Sequence, residues 1–133
     1  KDFQQLQIIK KMVEKTLLPV SIIKCPIYRE ENGLAMSSRS EQLSKQQRNE
    51  ASIIYSSLKT VREKAKTYSV KKLTQEVVSL FKEHPLFELE YFTIAEESTL
   101  KNTSEITPNK NYRAFIAVYA GPVRLIDTIS LND

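Results

Sequence analysis

The feature that most constrains this chain is the run from Tyr112 to Ala120, YRAFIAVYA, which is apolar at nearly every position. An extended segment that is apolar on both faces has to be covered on both faces, so it reads as a central strand. Gly121-Pro122 follows as a turn, and Arg124 to Ser130 reads as its partner. So short a connection makes that pairing antiparallel. A third strand is predicted upstream, where Phe87, Leu89, Tyr91 and Thr93 alternate with Glu88, Glu90, Phe92 and Ile94. Residues 96–111 are polar and aperiodic, and Pro108-Asn109 marks them as a loop.

The first part of the chain is helical in period. Leu6, Ile9 and Val13, widened by Ile8 and Met12, make an amphipathic stripe that Pro19 ends. Val20-Ser21-Ile22-Ile23 then reads as a short strand. Residues 24–44 form a loop with turns at Pro26 and Asn32-Gly33. Ser44 and Gln47 have capping-box spacing, and Ala51, Ile54, Tyr55, Leu58, Val61 and Ala65 line one face of the helix behind them. Ser69 caps a further helix with Leu73, Val77, Leu80 and Phe81 inward, which must stop before Pro85. Helix, strand, loop, two helices and three strands in that order predict an α+β domain: helices packed on a small, mainly antiparallel three-stranded sheet.

Composition removes several chemistries. The chain has 133 residues, of which 41% are hydrophobic and 27% charged, ordinary values for a folded domain. Gly 2 excludes a glycine-rich phosphate loop, Cys 1 excludes a disulfide framework or a multi-cysteine zinc site, and His 1 excludes a histidine-pair metal site. Cys25, between Lys24 and Pro26, reads as a small buried hydrophobe rather than a nucleophile. No run of sequence is long and apolar enough to span a bilayer, and no signal-peptide pattern opens the chain. Asn102-Thr103-Ser104 matches a glycosylation acceptor by chance in a loop. Lysines interleaved with glutamates read as solvated helix faces, and the net charge of +4 permits a polyanion partner without requiring one.

Two clusters carry chemistry. Met36-Ser37-Ser38-Arg39 places two hydroxyls, adjacent amides and a guanidinium within four residues. If a helical turn starts there, its free N–H groups and the arginine fork suit a phosphate chain; a polar turn with serine capping is the alternative reading. Lys1-Asp2-Phe3-Gln4-Gln5 offers a cation for phosphate, a carboxylate for ribose hydroxyls and an amide for a small polar ligand. By itself it is equally a polar helix start.

Taken together, in order, the segments Lys1 to Leu6, Pro26 to Glu30, Asn32 to Arg39, Leu43-Ser44 with Arg48 and Ala51, and Val123 to Asp127 resemble the pantoate–β-alanine ligase (pantothenate synthetase) family. The resemblance implies an enzyme that forms pantoyl adenylate and pyrophosphate from ATP and pantoate with Mg2+, then couples the acyl group to β-alanine and releases AMP. It implies a Rossmann-type nucleotide-binding domain, whose last helix and strand would be residues 1–24, and a C-terminal lid domain, residues 25–133. The Met-Ser-Ser-Arg loop is similar to the mobile KMSKS loop of class I aminoacyl-tRNA synthetases. By that motif Ser37, Ser38 and Arg39 would bind the ATP phosphates and Met36 the adenine side. Lys1 would meet phosphate, Asp2 the ribose, the backbone of Tyr28 the adenine, and Gln5 pantoate. The family is cytoplasmic and typically homodimeric, with no nucleic acid or membrane partner.

The sequence also departs from the family pattern. Ser40 stands where the family usually has Asn, though a serine can still cap a turn. The family's HIGH motif, with its two phosphate-binding histidines, has no counterpart here, and His84 reads as structural. The chain opens inside helical sequence without a cap. The expectation is therefore a C-terminal part of such a ligase, inactive alone. A free-standing basic α+β module binding RNA or protein is the alternative from a different class, although aromatics and basic residues do not share a strand face as a stacking platform requires.

Overall fold

The computed structural model describes residues 1–133. Its centre is the predicted strand β2 (Tyr112–Ala120), hydrogen-bonded on one side to β1 (Glu88–Glu96) and on the other to β3 (Val123–Ser130), both antiparallel. Ala120 pairs with Val123, so the loop is Gly121-Pro122 alone. Gly121 supplies the positive φ of +58° that a two-residue hairpin needs at its first loop position. One face of β2 presents Tyr112, Ala114, Ile116, Val118 and Ala120 to a core shared with α3 (Ser52–Lys64) and α4 (Val70–Lys82). These helices send in Ile54, Leu58 and Val61, and Val70, Leu73, Val77 and Phe81. Leu80, expected inward, is 42% exposed because the inward positions of α4 advance by three and four from Val70 to Phe81 and leave it on the flank.

Four further sequence expectations are corrected. Simple alternation in β1 fails at Glu90, where the register slips between Leu89 and Tyr91. The extra residue of this β-bulge lets Leu89 and Phe92 face the same core although they are three apart, and it turns Tyr91 outward. The single helix expected after Ser44 is two. The capping box of Ser44 and Gln47 starts α2 (Lys45–Glu50), and the chain tightens through the fully buried Ala51 into α3. The strand expected at Val20 to Ile23 is unpaired chain, with Val20 and Ile23 exposed, since both neighbours of β2 are already in place and no strand lies beside this segment. Cys25 continues that surface run and is exposed rather than buried.

On the opposite face of β2, α1 (Phe3–Thr16) docks through its first turn. Phe3 is buried against Phe115, with ring centroids 6.0 Å apart, and the guanidinium of Arg113 lies over its ring at 4.4 Å. Arg113 is held in turn by Glu97 (2.8 Å), whose carbonyl accepts an N–H of Gln7 (3.0 Å). Farther along α1 the stripe is only half covered, and Ile8 and Met12 are exposed. His84 is structural, as read: its Nδ1 accepts the Leu86 N–H just past the end of α4. No helix is long and apolar enough to cross a membrane.

The glycines give a test of the fold. Gly33 has φ +91°, and a Cβ there would come within 2.6 Å of the Tyr55 ring, whereas a Cβ at Gly121 meets nothing nearer than 3.9 Å. Gly121→Ala is therefore expected to cost about 1–2 kcal/mol, the backbone term alone. Gly33→Ala should cost more by at least about 1 kcal/mol, because overpacking adds to it. Equal midpoints in urea unfolding of the two variants would contradict the close approach at Gly33.

Candidate functional site

The site is assembled from parts of the chain that lie far apart in sequence. A cleft of about 560 Å³ opens between the start of α1, the segment 24–27 and the ends of β2 and β3. Lys1, Asp2 and Phe3 line it from one side, Arg113, Thr128 and Ser130 from the sheet, and Arg29 and Tyr55 from the far wall. The Phe3 anchor is what sets Lys1 and Asp2 at its mouth. Lys1 Nζ donates to Asp2 Oδ2 at 2.8 Å. That hydrogen bond is the main reason the Asp2 carboxyl is held below the usual carboxylate range, with partial burial opposing it. The charge of Arg39 contributes in the same direction, as the smallest of the causes.

The second cluster stands on a tight hairpin. Arg29 and Ala35 form an antiparallel bridge, the Met36 N–H donates to the Tyr28 carbonyl (2.9 Å), and the Glu30 N–H donates to the Leu34 carbonyl (2.9 Å). Asn32 closes the turn by accepting the Leu34 N–H on its side chain and donating to the Arg48 carbonyl. Leu34 and Ala35 are buried, so the stem is fixed where the loop begins. Beyond it, Ser37 caps a 3₁₀ turn over Ser38–Gln42, its Oγ accepting the Arg39 N–H at 3.2 Å. The capping alternative thus holds for Ser37. Ser38 and Arg39 are exposed, and Arg39 makes no ion pair. Ser40 does not cap. Its side chain is buried and its Oγ has no hydrogen-bond partner.

Met36 to Arg39 stand beside the cleft rather than lining it. Tyr28 is 73% exposed, its carbonyl committed to the hairpin, and Gln5 is exposed on the first turns of α1 without a partner. Sequence reasoning assigned no role to Arg29 and Asp127. Their paired motifs, Tyr28-Arg29-Glu30 and Leu125-Ile126-Asp127, were visible, but nothing local shows that they meet. No three or more His, Cys, Asp or Glu side chains converge to hold a metal ion. Arg48, Lys64, Lys110 and Arg124 are each paired with a glutamate, and no aromatic and basic face of the kind a nucleic-acid platform needs is assembled, which leaves the basic-module alternative without support.

Fold and cleft together define a small α+β domain with a serine- and arginine-bearing loop and a cleft lined by both charged and apolar side chains. The chain belongs to the pantoate–β-alanine ligase family, whose model matches residues 1–130. It is 51% identical over its whole length to the pantothenate synthetase of Christiangramia forsetii and covers 47% of that protein. The crystal structure of pantothenate synthetase from Thermus thermophilus matches 98% of the chain with a TM-score of 0.88 at 32% identity, again over 47% of that protein. A pantoate–β-alanine ligase from Francisella tularensis, complexed with β,γ-ATP and β-alanine, matches with a TM-score of 0.64 at 28% identity, covering the whole chain and 42% of that protein. The chain thus spans about half the length of the relatives it matches.

The Asp2 environment yields a titration test. A carboxyl whose folded pKa is depressed adds stability above its unfolded pKa and loses it as pH falls through the folded value. In a carboxyl-detected NMR titration Asp2 should protonate at lower pH than an ordinary aspartate. Lys1→Met should raise its midpoint most, and Arg39→Gln should raise it by a smaller amount. An Asp2 midpoint unmoved by Arg39→Gln would separate the two clusters.

Proposed function

We propose that this chain serves as the second half of an ATP-dependent ligase that condenses pantoate with β-alanine to pantothenate through pantoyl adenylate. The observation that supports the reading is that Lys1 and Asp2 share one cleft with Arg29, whose bridge to Ala35 is the stem of the Met36–Arg39 loop, in a chain matched to the family over residues 1–130. In this reading residues 1–24 belong with the nucleotide-binding domain and residues 25–133 form the lid. The exposed Ile8 and Met12 on α1 agree with a helix built to pack against more than the sheet.

The chemistry asks for positioning and charge rather than a protein nucleophile. The pantoate carboxylate attacks the α-phosphorus of ATP, forming the acyl–phosphate bond as pyrophosphate leaves. The amine of β-alanine then attacks the acyl carbon, and AMP leaves. Negative charge is redistributed over the phosphates in the first step, and Ser38, Arg39 and Lys1 are donors that can follow it. Lys1 is parked on Asp2 and would exchange that partner for phosphate as Asp2 turns to the ribose. Ser37 shapes the loop through its cap as well as offering a hydroxyl, Met36 flanks the adenine, the Tyr28 backbone lies nearby, and Gln5 holds pantoate. Closure of the loop would keep water from the acyl adenylate. Mg2+ would come with ATP on its phosphates, held mainly by the other half of the enzyme, and no step here runs through it. The homodimer and the cytoplasmic setting belong to the same proposal.

The test joins the first half of the Christiangramia forsetii relative to this chain at Lys1. The joined protein is expected to form pantothenate from ATP, pantoate and β-alanine, and the 133-residue chain alone is expected to form none. Arg39→Ala in the joined protein should lower kcat/KM for ATP by about 100-fold. Turnover by the chain alone would overturn the half-enzyme reading. A folded but inert joined protein, beside an active intact relative, would overturn the ligase reading.

A further inference from the structure

Resting on that ligase reading, we propose that Arg29 and Asp127 are positioning residues: their buried ion pair fixes where Ser37, Ser38 and Arg39 stand relative to Asp2. Asp127 lies on β3 with its side chain 2% exposed, on the core face beside Ile116. Its two oxygens take Arg29 Nη1 at 2.6 Å and Nη2 at 2.9 Å, and Oδ1 also takes the Thr128 N–H at 2.7 Å. A carboxylate so buried and so bound is aimed at the loop rather than at a ligand.

Arg29 is the adaptor between strand and loop. Besides gripping Asp127, its Nη1 donates to the Gly33 carbonyl at 2.9 Å, across the turn of the hairpin. Its guanidinium lies 3.6 Å from the centroid of the Tyr55 ring, on α3. One planar group thus ties β3, α3 and the hairpin turn together, a task that suits the rigid fork of arginine and not a lysine. The bridged residue opposite Arg29 is Ala35, directly before the Met-Ser-Ser-Arg run, so any slip at Arg29 passes into that run without slack. The other ion pair on the hairpin, Glu30 with Arg48, is more exposed, and pairs of that kind hold little.

Asp127→Asn keeps the shape and removes the charge and one acceptor pairing. In the joined enzyme it should lower kcat for adenylate formation by about 10–100-fold and raise the KM for ATP, leaving the KM for β-alanine within about twofold, because small misplacements of positioned donors cost that much. In the 133-residue chain the amides of Met36–Gln42 should exchange with deuterium at least about tenfold faster, with those of β1 and β2 accelerated less. Arg29→Lys, which keeps the charge and loses the fork, should fall between, and it serves if Asp127→Asn does not fold. Loop exchange unchanged, exchange raised equally throughout the sheet, or faster loop exchange with kcat unaltered would each overturn the proposal. The exchange experiment decides the clamp even if the joined enzyme proves inert, so failure of the ligase reading is told apart from failure of this one.

Discussion

The ion pair of Arg29 with Asp127 is the contact through which the loop region and the sheet become one object. Residues 20–43 contain no helix beyond a single 3₁₀ turn and no strand of their own, so their conformation has to be imposed from outside. Beside the burial of Leu34 in the core, the imposition comes from one buried carboxylate on β3, one guanidinium, one ring on α3 and a glycine that lets the backbone pass close to that ring. Removing a single partner from such a pair strands a buried charge, which typically costs about 3–5 kcal/mol. A hydrophobic contact of the same area would hold the segment to the sheet without fixing its register, whereas a two-point hydrogen-bonded pair specifies orientation as well as distance.

A second anchor complements it on the other face. Phe3, between Phe115 and the Arg113–Glu97 pair, fixes the start of α1 and with it Lys1 and Asp2. Arg113 pairs with Ser130 across the hairpin, and Asp127 sits three residues before Ser130. The two ends of the site are therefore hung from one end of one β-hairpin, stiffened because β2 is hydrogen-bonded on both edges. Stiffness there and exposure at Ser38 and Arg39 are compatible roles: the stem is held, and the donors beyond it stay free to reach a ligand.

The fold was largely legible because its signals are local. Capping at Ser44 and Ser69, the stop before Pro85, the apolar run of β2 and the tight Gly121-Pro122 turn each act over a few residues, and each appears where read. The misreadings share a cause. The bulge at Glu90 and the exposure of Leu80, Cys25 and Val20–Ile23 depend on what lies across from a residue, which periodicity does not encode. The candidate site divides in the same way. Ser38 and Arg39 could be named from residue type and order, but the capping of the Arg39 N–H by Ser37 and the orphaned hydroxyl of Ser40 follow from packing.

Composition, period and ordered motifs within the chain were enough for the class of fold, the central strand, the helix caps at Ser44 and Ser69 and the membership that the family match confirms. It took the folded chain to show that Asp127 holds Arg29 and that Phe3 carries Lys1 and Asp2 to the cleft that Arg29 also lines. Those facts join residues distant in the chain. Contacts at such separations are set by how strands and helices stack, and a buried charge declares its partner only when the space around it has closed.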